Sequence, residues 1–281
     1  MKTNESRKWL HKFRRGLLYL FLSVVAIIAI FPFVLMILTS LKQGGAALTQ
    51  LSNLVPTKPT LQNFVDVWVT DSFGIYFRNT AIVTGAVILG NIVLDSMVAY
   101  ALSRHNFFGK RAMFLFIIAR MMIPIQVLII PLYELMHWLK LYDTLIALIL
   151  PTLVQGFGIF LLKQYFDGIP RSLDEAAIMD GANDFQILWR IMMPLAKPAI
   201  AVLVINTALT SWNAFLLPLI LTSSEGTRTL SLGLALYSSR FGVDFIHQMA
   251  ASSISALPIL AIFLVFQRQI ISGLTKGAIK S

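Results

Sequence analysis

Long apolar segments dominate this chain of 281 residues and leave few folds open to it. A helix of about 20 apolar residues is enough to cross a bilayer. Segments of that kind occupy residues 17–38, 77–102, 112–132, 144–162, 198–220 and 246–266. Only 13% of the residues are charged, against roughly 25% in soluble domains. The sequence therefore predicts an all-α polytopic membrane protein with about six transmembrane helices.

The net charge of +10 is consistent with nucleic-acid binding, but its distribution indicates membrane topology instead. Most of the 23 Lys and Arg residues fall on one side of the six spans, within 1–16, 103–111, 163–197 and 268–281. Basic residues accumulate in the cytoplasmic loops of membrane proteins. We therefore expect both termini in the cytoplasm, and no nucleic-acid partner.

The spans also set the expected domain organisation. A basic cytoplasmic tail (1–16) precedes a first transmembrane helix with its external loop (17–76), in which residues 61–69 form a short amphipathic helix. The transmembrane core follows (77–267), and a cytoplasmic tail ends the chain (268–281).

A polar segment, residues 170–194, interrupts the core between the fourth and fifth spans. Ser172 and Glu175 have the spacing of a capping box, which predicts a helix from Leu173. Gly181 follows two turns later and predicts the end of this helix, because glycine adopts the left-handed conformation at little cost.

A second short helix is predicted directly afterwards. Asn183 and Gln186 repeat the capping pattern, and Pro194 is expected to end the helix. Apolar residues at helical spacing form one stripe on it: Phe185, Leu188, Trp189 and Met192.

The first helix has the composition of a docking element. Ala176 and Ala177 leave little side-chain bulk beside Glu175, so that another surface could approach closely and bind the carboxylate. The alternative is an interfacial segment that merely connects two spans.

The spacing of this segment resembles the EAA loop of permease subunits of ATP-binding-cassette (ABC) importers, written E-A-A-x3-G-x9-I-x-L-P. The matching residues are Glu175, Ala176, Ala177, Gly181, Ile191 and Pro194. Met193 replaces the leucine of the pattern, which is a near-isosteric change.

Further strings extend the resemblance to essentially the whole chain and to the carbohydrate-uptake, maltose-transporter-like branch of this family. They are P-T-L-Q-N-F (59–64), Y-F-R-N-T (76–80), A-Y-A-L-S-R (99–104), R-M-M-I-P (120–124), S-W-N-A-F (211–215) and G-L-T-K-G-A-I-K (273–280). Each string is short, and it is their order that carries the resemblance.

The resemblance implies a type I importer permease that forms half of the pathway for a sugar in a bacterial or archaeal cell membrane. Its implied partners are a second permease, two cytosolic ATPase subunits, which use ATP and Mg²⁺, and an extracytoplasmic solute-binding protein. The segment 170–194 becomes the cytoplasmic coupling loop. Its implied ATPase contacts are Glu175, Ala176, Ala177, Asp180 and Gly181, while Phe185, Leu188, Trp189 and Pro194 pack the second helix against the spans.

Other functions find less support in the sequence. No G-x-x-x-x-G-K-[ST] motif occurs, so we expect neither ATP hydrolysis nor a bound cofactor or metal. Motifs of membrane enzymes such as H-E-x-x-H and G-x-S-x-G are also missing. A secondary transporter is less well supported, because we find no inverted repeat around a carboxylate site. An ABC permease for a solute other than a sugar stays open.

Two charges inside predicted spans match each other in depth. Asp95 and Arg120 are each nine residues from a cytoplasmic end, so that both should lie roughly 13 Å deep on neighbouring helices. We predict that they pair. The pair would either set the register of the two helices or place Arg120 at an inner gate.

Polar residues in the last two spans are candidates for the substrate pathway. Trp212 offers an aromatic plane for a sugar ring, while Asn213, Asn206 and Ser252 offer hydrogen-bonding groups. The alternative is that small polar residues hold membrane helices together.

Overall fold

A computed structural model describes residues 2–43, 55–237 and 244–278, with side chains described for 12–43, 55–237 and 244–266. Every regular element in these ranges is helical, which confirms the all-α prediction. The segment 17–76, expected to be a first transmembrane helix with its external loop, and the tail 268–281 lie partly outside the described residues.

The α-helices of the described residues are numbered in chain order. They are α1 (Lys2–Ser40), α2 (Gln62–Val69), α3 (Phe73–Arg104), α4 (Lys110–Met121), α5 (Ile129–Trp138), α6 (Leu145–Ile149), α7 (Gly156–Asp167), α8 (Ser172–Met179), α9 (Asp184–Leu195), α10 (Lys197–Trp212), α11 (Leu216–Leu221), α12 (Leu230–Ala235) and α13 (Phe245–Ala278). The predicted amphipathic helix at 61–69 corresponds to α2.

Four stretches of the described chain are long and apolar enough to cross a membrane: Lys12–Ser40, Phe73–Arg104, Leu145–Asp167 and Phe245–Phe266. The number rises to the predicted six if two bent helix pairs each count as one span. The first pair is α4 with Ile125–Trp138, bent by 95°, and the second is α9 with α10, bent by 83°.

The third and fifth spans, predicted at 112–132 and 198–220, are both interrupted. The third breaks before Pro124, which has an extended backbone (ψ 136°) and no N–H to continue a helix. The fifth ends at Trp212, and a separate helix, α11, begins at Leu216. Both breaks lie inside predicted spans, and irregular backbone within a membrane is tolerated only where protein or water lies beside it.

One compact unit combines the residues up to Asp71 with Tyr237–Ile254. Within it, the Asn63 side-chain amide donates to the carbonyls of Ser40 and Lys42, at 2.7 and 2.8 Å. These bonds satisfy carbonyls at the end of α1. Asp71 accepts a 2.5 Å hydrogen bond from the Tyr237 hydroxyl. His247 Nδ1 lies 2.6 Å from Asp244 Oδ2.

The second unit comprises Ser72–Leu236 and the chain from Ser255 onward. One buried apolar cluster lies around the Arg104 end of α3 and includes Leu102, Leu162, Phe166, Ile187 and Met192. A smaller cluster nearer the start of α3 includes Val83, Val87, Met136, Leu148 and Leu221.

A π-helical turn at Asn91–Asp95 in α3 supports the break between α6 and α7. Asn91 donates to the carbonyls of Thr152 and Leu153, at 2.9 and 2.8 Å. The side-chain oxygen Oδ1 of Asn91 accepts a 3.0 Å hydrogen bond from the Thr207 hydroxyl. The side chain thus replaces hydrogen bonds that the broken helix lacks.

Asp95 has a different partner from the one predicted. Its Oδ1 accepts a 3.0 Å hydrogen bond from the Gln155 N–H, and Gly158 leaves room for its Oδ2. Asp95 is fully buried, whereas Arg120 is exposed, and no ion pair joins them in the described part of the chain. The prediction was wrong because depth was inferred from straight helices, whereas the backbone break near Gln155 supplies an N–H to the carboxylate.

Candidate functional site

The segment 170–194 forms two short helices joined at a glycine, as predicted. Gly181 has φ +82°, and its N–H donates to the carbonyl of Ile178. The next N–H, from Ala182, reaches back to the carbonyl of Ala177 at 2.9 Å. This pattern closes α8 and directs the chain into α9.

One of the two predicted capping boxes forms. Asn183 Oδ1 accepts from the Gln186 N–H at 2.9 Å, and Gln186 Oε1 accepts from the Asn183 N–H at 3.0 Å. The box between Ser172 and Glu175 was predicted wrongly. Arg171 already has helical geometry, and its carbonyl accepts the Glu175 N–H at 3.0 Å.

The outer face of α8 is exposed and largely apolar. Glu175, Ala176, Asp180 and Gly181 are all exposed, whereas Ala177 is buried and belongs to the internal packing. Large apolar side chains surround this face: Leu173, Ile178 and Met179, exposed to 42%, 58% and 88%. Exposed apolar patches on folded proteins often mark interaction surfaces.

The predicted apolar stripe of α9 is only partly buried. Leu188 and Met192 are buried and Trp189 is half-buried, but Phe185 is 63% exposed. A π-helical turn over Leu188–Met192 changes the residue spacing that the stripe assumed. Phe185 therefore does not join the buried cluster, although its ring lies 6.0 Å from that of Trp189.

Pro194 does not end α9 as predicted. It lies in the last turn, Met193–Leu195, and the chain bends at Ala196. A proline near the start of a helical turn needs no N–H partner there, so that the helix accommodates it.

A buried ion pair attaches α8 to the end of α3. Arg104 Nε lies 2.6 Å from Asp174 Oδ2, and their side chains are 7% and 11% exposed. The N–H is not aligned for a hydrogen bond, so the contact is mainly electrostatic. Arg104 also donates to the carbonyl of Ile169 at 2.9 Å. Burial raises the pKa of Asp174 above its ordinary value, against the opposing effect of Arg104.

Two further residues at the end of α3 hold the flanking elements. The Ser103 hydroxyl donates to Asp167 Oδ1 at 2.7 Å, at the end of α7. The Tyr100 hydroxyl donates to Asp184 Oδ1 at 3.3 Å, at the start of α9. One turn of α3 thus contacts α7, α8 and α9. We assigned no role to this turn from the sequence. The signals for one are an arginine at the end of an apolar span and acidic residues later in the chain that can bind it.

The polar residues of α10 divide into a buried and an exposed set. Trp212 is 6% exposed, its Nε1 donates to the Ser255 carbonyl at 3.1 Å, and its ring meets that of Phe77 edge-on. It therefore offers no free aromatic plane, and its predicted role as a sugar platform is not supported. Its indole N–H is hydrogen-bonded inside the protein.

Asn206, Thr210 and Asn213 instead share one side of α10, at positions i, i+4 and i+7. Thr210 and Asn213 are exposed and Asn206 is half-buried. A polar stripe on a membrane helix requires water or protein beside it. Thr210 had not been chosen as a site residue, although the i+4 spacing from Asn206 indicates it. Ser252, on α13, donates to the Gln248 carbonyl at 2.8 Å within its own helix.

The sequence and the fold both match known membrane transport proteins. A family model described as "Binding-protein-dependent transport system inner membrane component" matches residues 91–271. The arabinooligosaccharides transport system permease protein AraQ of Halalkalibacterium halodurans is 35% identical over 91% of this chain and 93% of its own length. The trehalose/maltose transport system permease protein MalG of Thermococcus litoralis is 34% identical over 95% and 97%.

A solved structure has the same fold. A chain of a bacterial ABC transporter involved in the import of the acidic polysaccharide alginate superimposes with a TM-score of 0.81 and 26% identity. The match covers 92% of this chain and 96% of the other. The overall fold of this chain therefore has a counterpart among solved structures.

Proposed function

This chain belongs to the family of binding-protein-dependent transport system inner membrane components, and we propose that it is the permease subunit of an ABC importer for a sugar. As a family member it is a multi-pass membrane transport subunit rather than an enzyme. The names of its relatives support a sugar as the solute, since they include arabinooligosaccharides, trehalose/maltose and diacetylchitobiose systems.

The exposed face of α8 is the observation that carries the coupling role. Glu175 and Ala176 lie among the exposed apolar side chains of Leu173 and Met179, on a helix fixed from behind by the Arg104–Asp174 pair. We assign this face to the contact with a cytosolic ATPase subunit. The apolar side chains supply buried area, and Glu175 supplies a charge-assisted contact.

The contacts behind α8 suit it to transmit force. Tyr100, Ser103 and Arg104 bind elements on both sides of α8, so that a displacement of α8 is passed directly to α3. The π-helical turn of α3 in turn holds the break between α6 and α7 through Asn91. ATP and Mg²⁺ are used by the partner, and the motion reaches the pathway through α3.

The remaining assignments follow the charge distribution and the polar stripe. The basic segments 103–111 and 163–197 lie in the cytoplasm, as do both termini, which puts α8 on the side of the ATPases. The stripe Asn206, Thr210 and Asn213 lines the pathway. A second permease, forming a heterodimer with this chain, completes that pathway, and an extracytoplasmic solute-binding protein delivers the sugar.

The test is a bulky substitution on the docking face. We expect Ala176→Trp to abolish both ATPase co-purification and labelled-sugar uptake while the protein still inserts, because the indole would prevent close approach. Ala112→Trp, at an exposed alanine near the start of α4, is the matched control and should retain both. Normal uptake by Ala176→Trp at normal abundance would contradict the coupling role.

A further inference from the structure

A cavity of about 190 Å³ lies inside the second unit, between α3, α10, α11 and the break between α6 and α7. Such a volume has room for several water molecules, and therefore for a small polar ligand. Its walls combine apolar side chains, including Val83, Val87, Leu148 and Leu217, with hydroxyl and amide groups. No charged residue contributes to its lining in the described part of the chain.

Three polar groups in this cavity have unused hydrogen-bonding capacity. Thr229 is 4% exposed, and its Oγ1 has no hydrogen-bond partner. The hydroxyl of Ser211 accepts from Thr84 at 3.2 Å, which leaves its own proton to donate. The Gln155 side chain makes no hydrogen bond to any described residue. A buried hydroxyl without a partner costs free energy, so that either a water molecule or a ligand is expected to bind it.

The backbone around the cavity holds these groups in place. Asp95 binds the Gln155 N–H at 3.0 Å, which positions this residue at the start of α7. The Leu230 N–H donates to Thr80 Oγ1 at 2.8 Å, which anchors the residue next to Thr229. The cavity therefore lies where two membrane helices are interrupted, and interrupted helices commonly border solute sites in transporters.

We propose that this cavity binds one neutral sugar unit, with hydrogen bonds from Thr229, Gln155 and Ser211 and apolar contacts from Val83 and Leu148. The inference rests on the proposed function and deepens it, since it gives this subunit a sugar site of its own. The uncharged lining makes an acidic sugar a poor ligand, because its carboxylate would be desolvated without a partner.

The chain contains no cysteine, so that one introduced thiol reports on the cavity directly. In the complete importer in membrane vesicles, Thr229→Cys should react with the small neutral reagent methyl methanethiosulfonate. L-arabinose, D-glucose or N-acetyl-D-glucosamine should slow this reaction several-fold, whereas D-glucuronate should not. Ser223→Cys, at an exposed position outside the cavity, should react equally with and without sugar.

Three results would overturn the proposal: a Thr229→Cys thiol that never reacts, a reaction that no neutral sugar slows, or equal protection by D-glucuronate. The second result would mean that the cavity holds water only. Each contradicts a site for a neutral sugar.

Uptake separates this proposal from the proposed function. Thr229→Val should raise the KM for the imported sugar roughly fivefold, the value of one hydrogen bond. Ser253→Ala removes a buried hydroxyl that donates to the Met249 carbonyl at 2.8 Å within α13. Neither residue lines the cavity, so this variant should leave KM unchanged. Normal KM in Thr229→Val with active import would refute the cavity site and leave the importer function intact. Protection of the thiol by a neutral sugar, in an importer that takes up no sugar, would support the cavity site and contradict the importer function.

Discussion

Arg104 and Asp174 join the end of α3 to α8 through a buried contact of 2.6 Å between Nε and Oδ2. The pair is 70 positions apart in sequence numbering and connects a membrane helix to the proposed docking helix. Its burial raises the pKa of Asp174, which indicates that desolvation outweighs the attraction of Arg104. The pair therefore fixes the position of α8 against α3 more than it stabilises the fold.

Removing one partner of this pair should be costly. Asp174→Asn leaves the Arg104 charge buried without compensation, at a cost of about 3 to 5 kcal/mol. We expect a lower melting temperature in detergent for this variant. Asp180→Asn, at an exposed acid on the same segment, should melt like the parent protein. The double variant Arg104→Met with Asp174→Leu should recover most of the lost stability. Equal melting of Asp174→Asn and Asp180→Asn would argue against a buried pair.

Substitutions at Gly181 should change the angle between α8 and α9. A Cβ at this position would meet no atom within 4 Å, so that Gly181→Ala pays only the left-handed backbone cost of about 1 kcal/mol. Gly181→Pro, in contrast, cannot adopt φ +82° and should abolish uptake while the protein still inserts. Gly109→Ala is the matched control, since Gly109 has φ +79° before α4 and equally free space. Retained uptake in Gly181→Pro would show that the angle is unimportant.

Acid should weaken the connection that Asp143 makes to the segment after α11. Burial acts to raise the pKa of Asp143, but hydrogen bonds from Thr227 and from the Ser223 and Ser224 N–H groups outweigh it and hold this pKa well below the ordinary value. A lowered pKa in the folded state contributes stability above the unfolded pKa of about 4, and this stability is lost as the pH falls toward the folded pKa.

The expected observation is a difference between two melting curves. The parent protein should lose stability from pH 5 downward, roughly, and Asp143→Asn should show a smaller loss over the same range. Asparagine also tolerates the positive φ of 59° at this position, which leaves the charge as the main difference. Parallel pH profiles for the two proteins would refute the assignment.

Substitutions at the neighbouring residues Trp212 and Asn213 should have different effects, the first on stability and the second on transport. Trp212→Phe loses the hydrogen bond to Ser255 and should lower the melting temperature, with the KM for sugar uptake little changed. Asn213→Ala removes an exposed amide and should leave the melting temperature unchanged while raising KM. Measuring both quantities in both variants decides the point, and the opposite pattern would return Trp212 to the pathway.

Much of the segment 170–194 could be read from sequence because its signals are local. The turn at Gly181 and the capping box of Asn183 with Gln186 depend on residues within one helical turn. The failed capping box at Ser172 shows the limit of such signals. Arg171 already continues the helical turn, and no short pattern reveals that a backbone partner replaces a side chain.

The partners of buried polar groups could not be predicted from the sequence. Asp95 binds the N–H of Gln155 instead of Arg120, and the Trp212 indole binds the carbonyl of Ser255 instead of a sugar. Both partners are main-chain groups, and one of them is freed by a helix break. Periodicity carries no information on which distant backbone group will be free.

Local sequence was thus enough to establish the helical membrane class, the number of apolar segments and the two-helix segment between the fourth and fifth spans. Apolar length and turn chemistry act over a few neighbouring residues, so that short patterns reveal them. Long-range packing settled the bend near Ala196, the Arg104–Asp174 contact and the cavity beside Thr229. These features arise where distant segments meet in a medium that offers buried polar groups no water, so each such group takes whichever partner the fold brings to it.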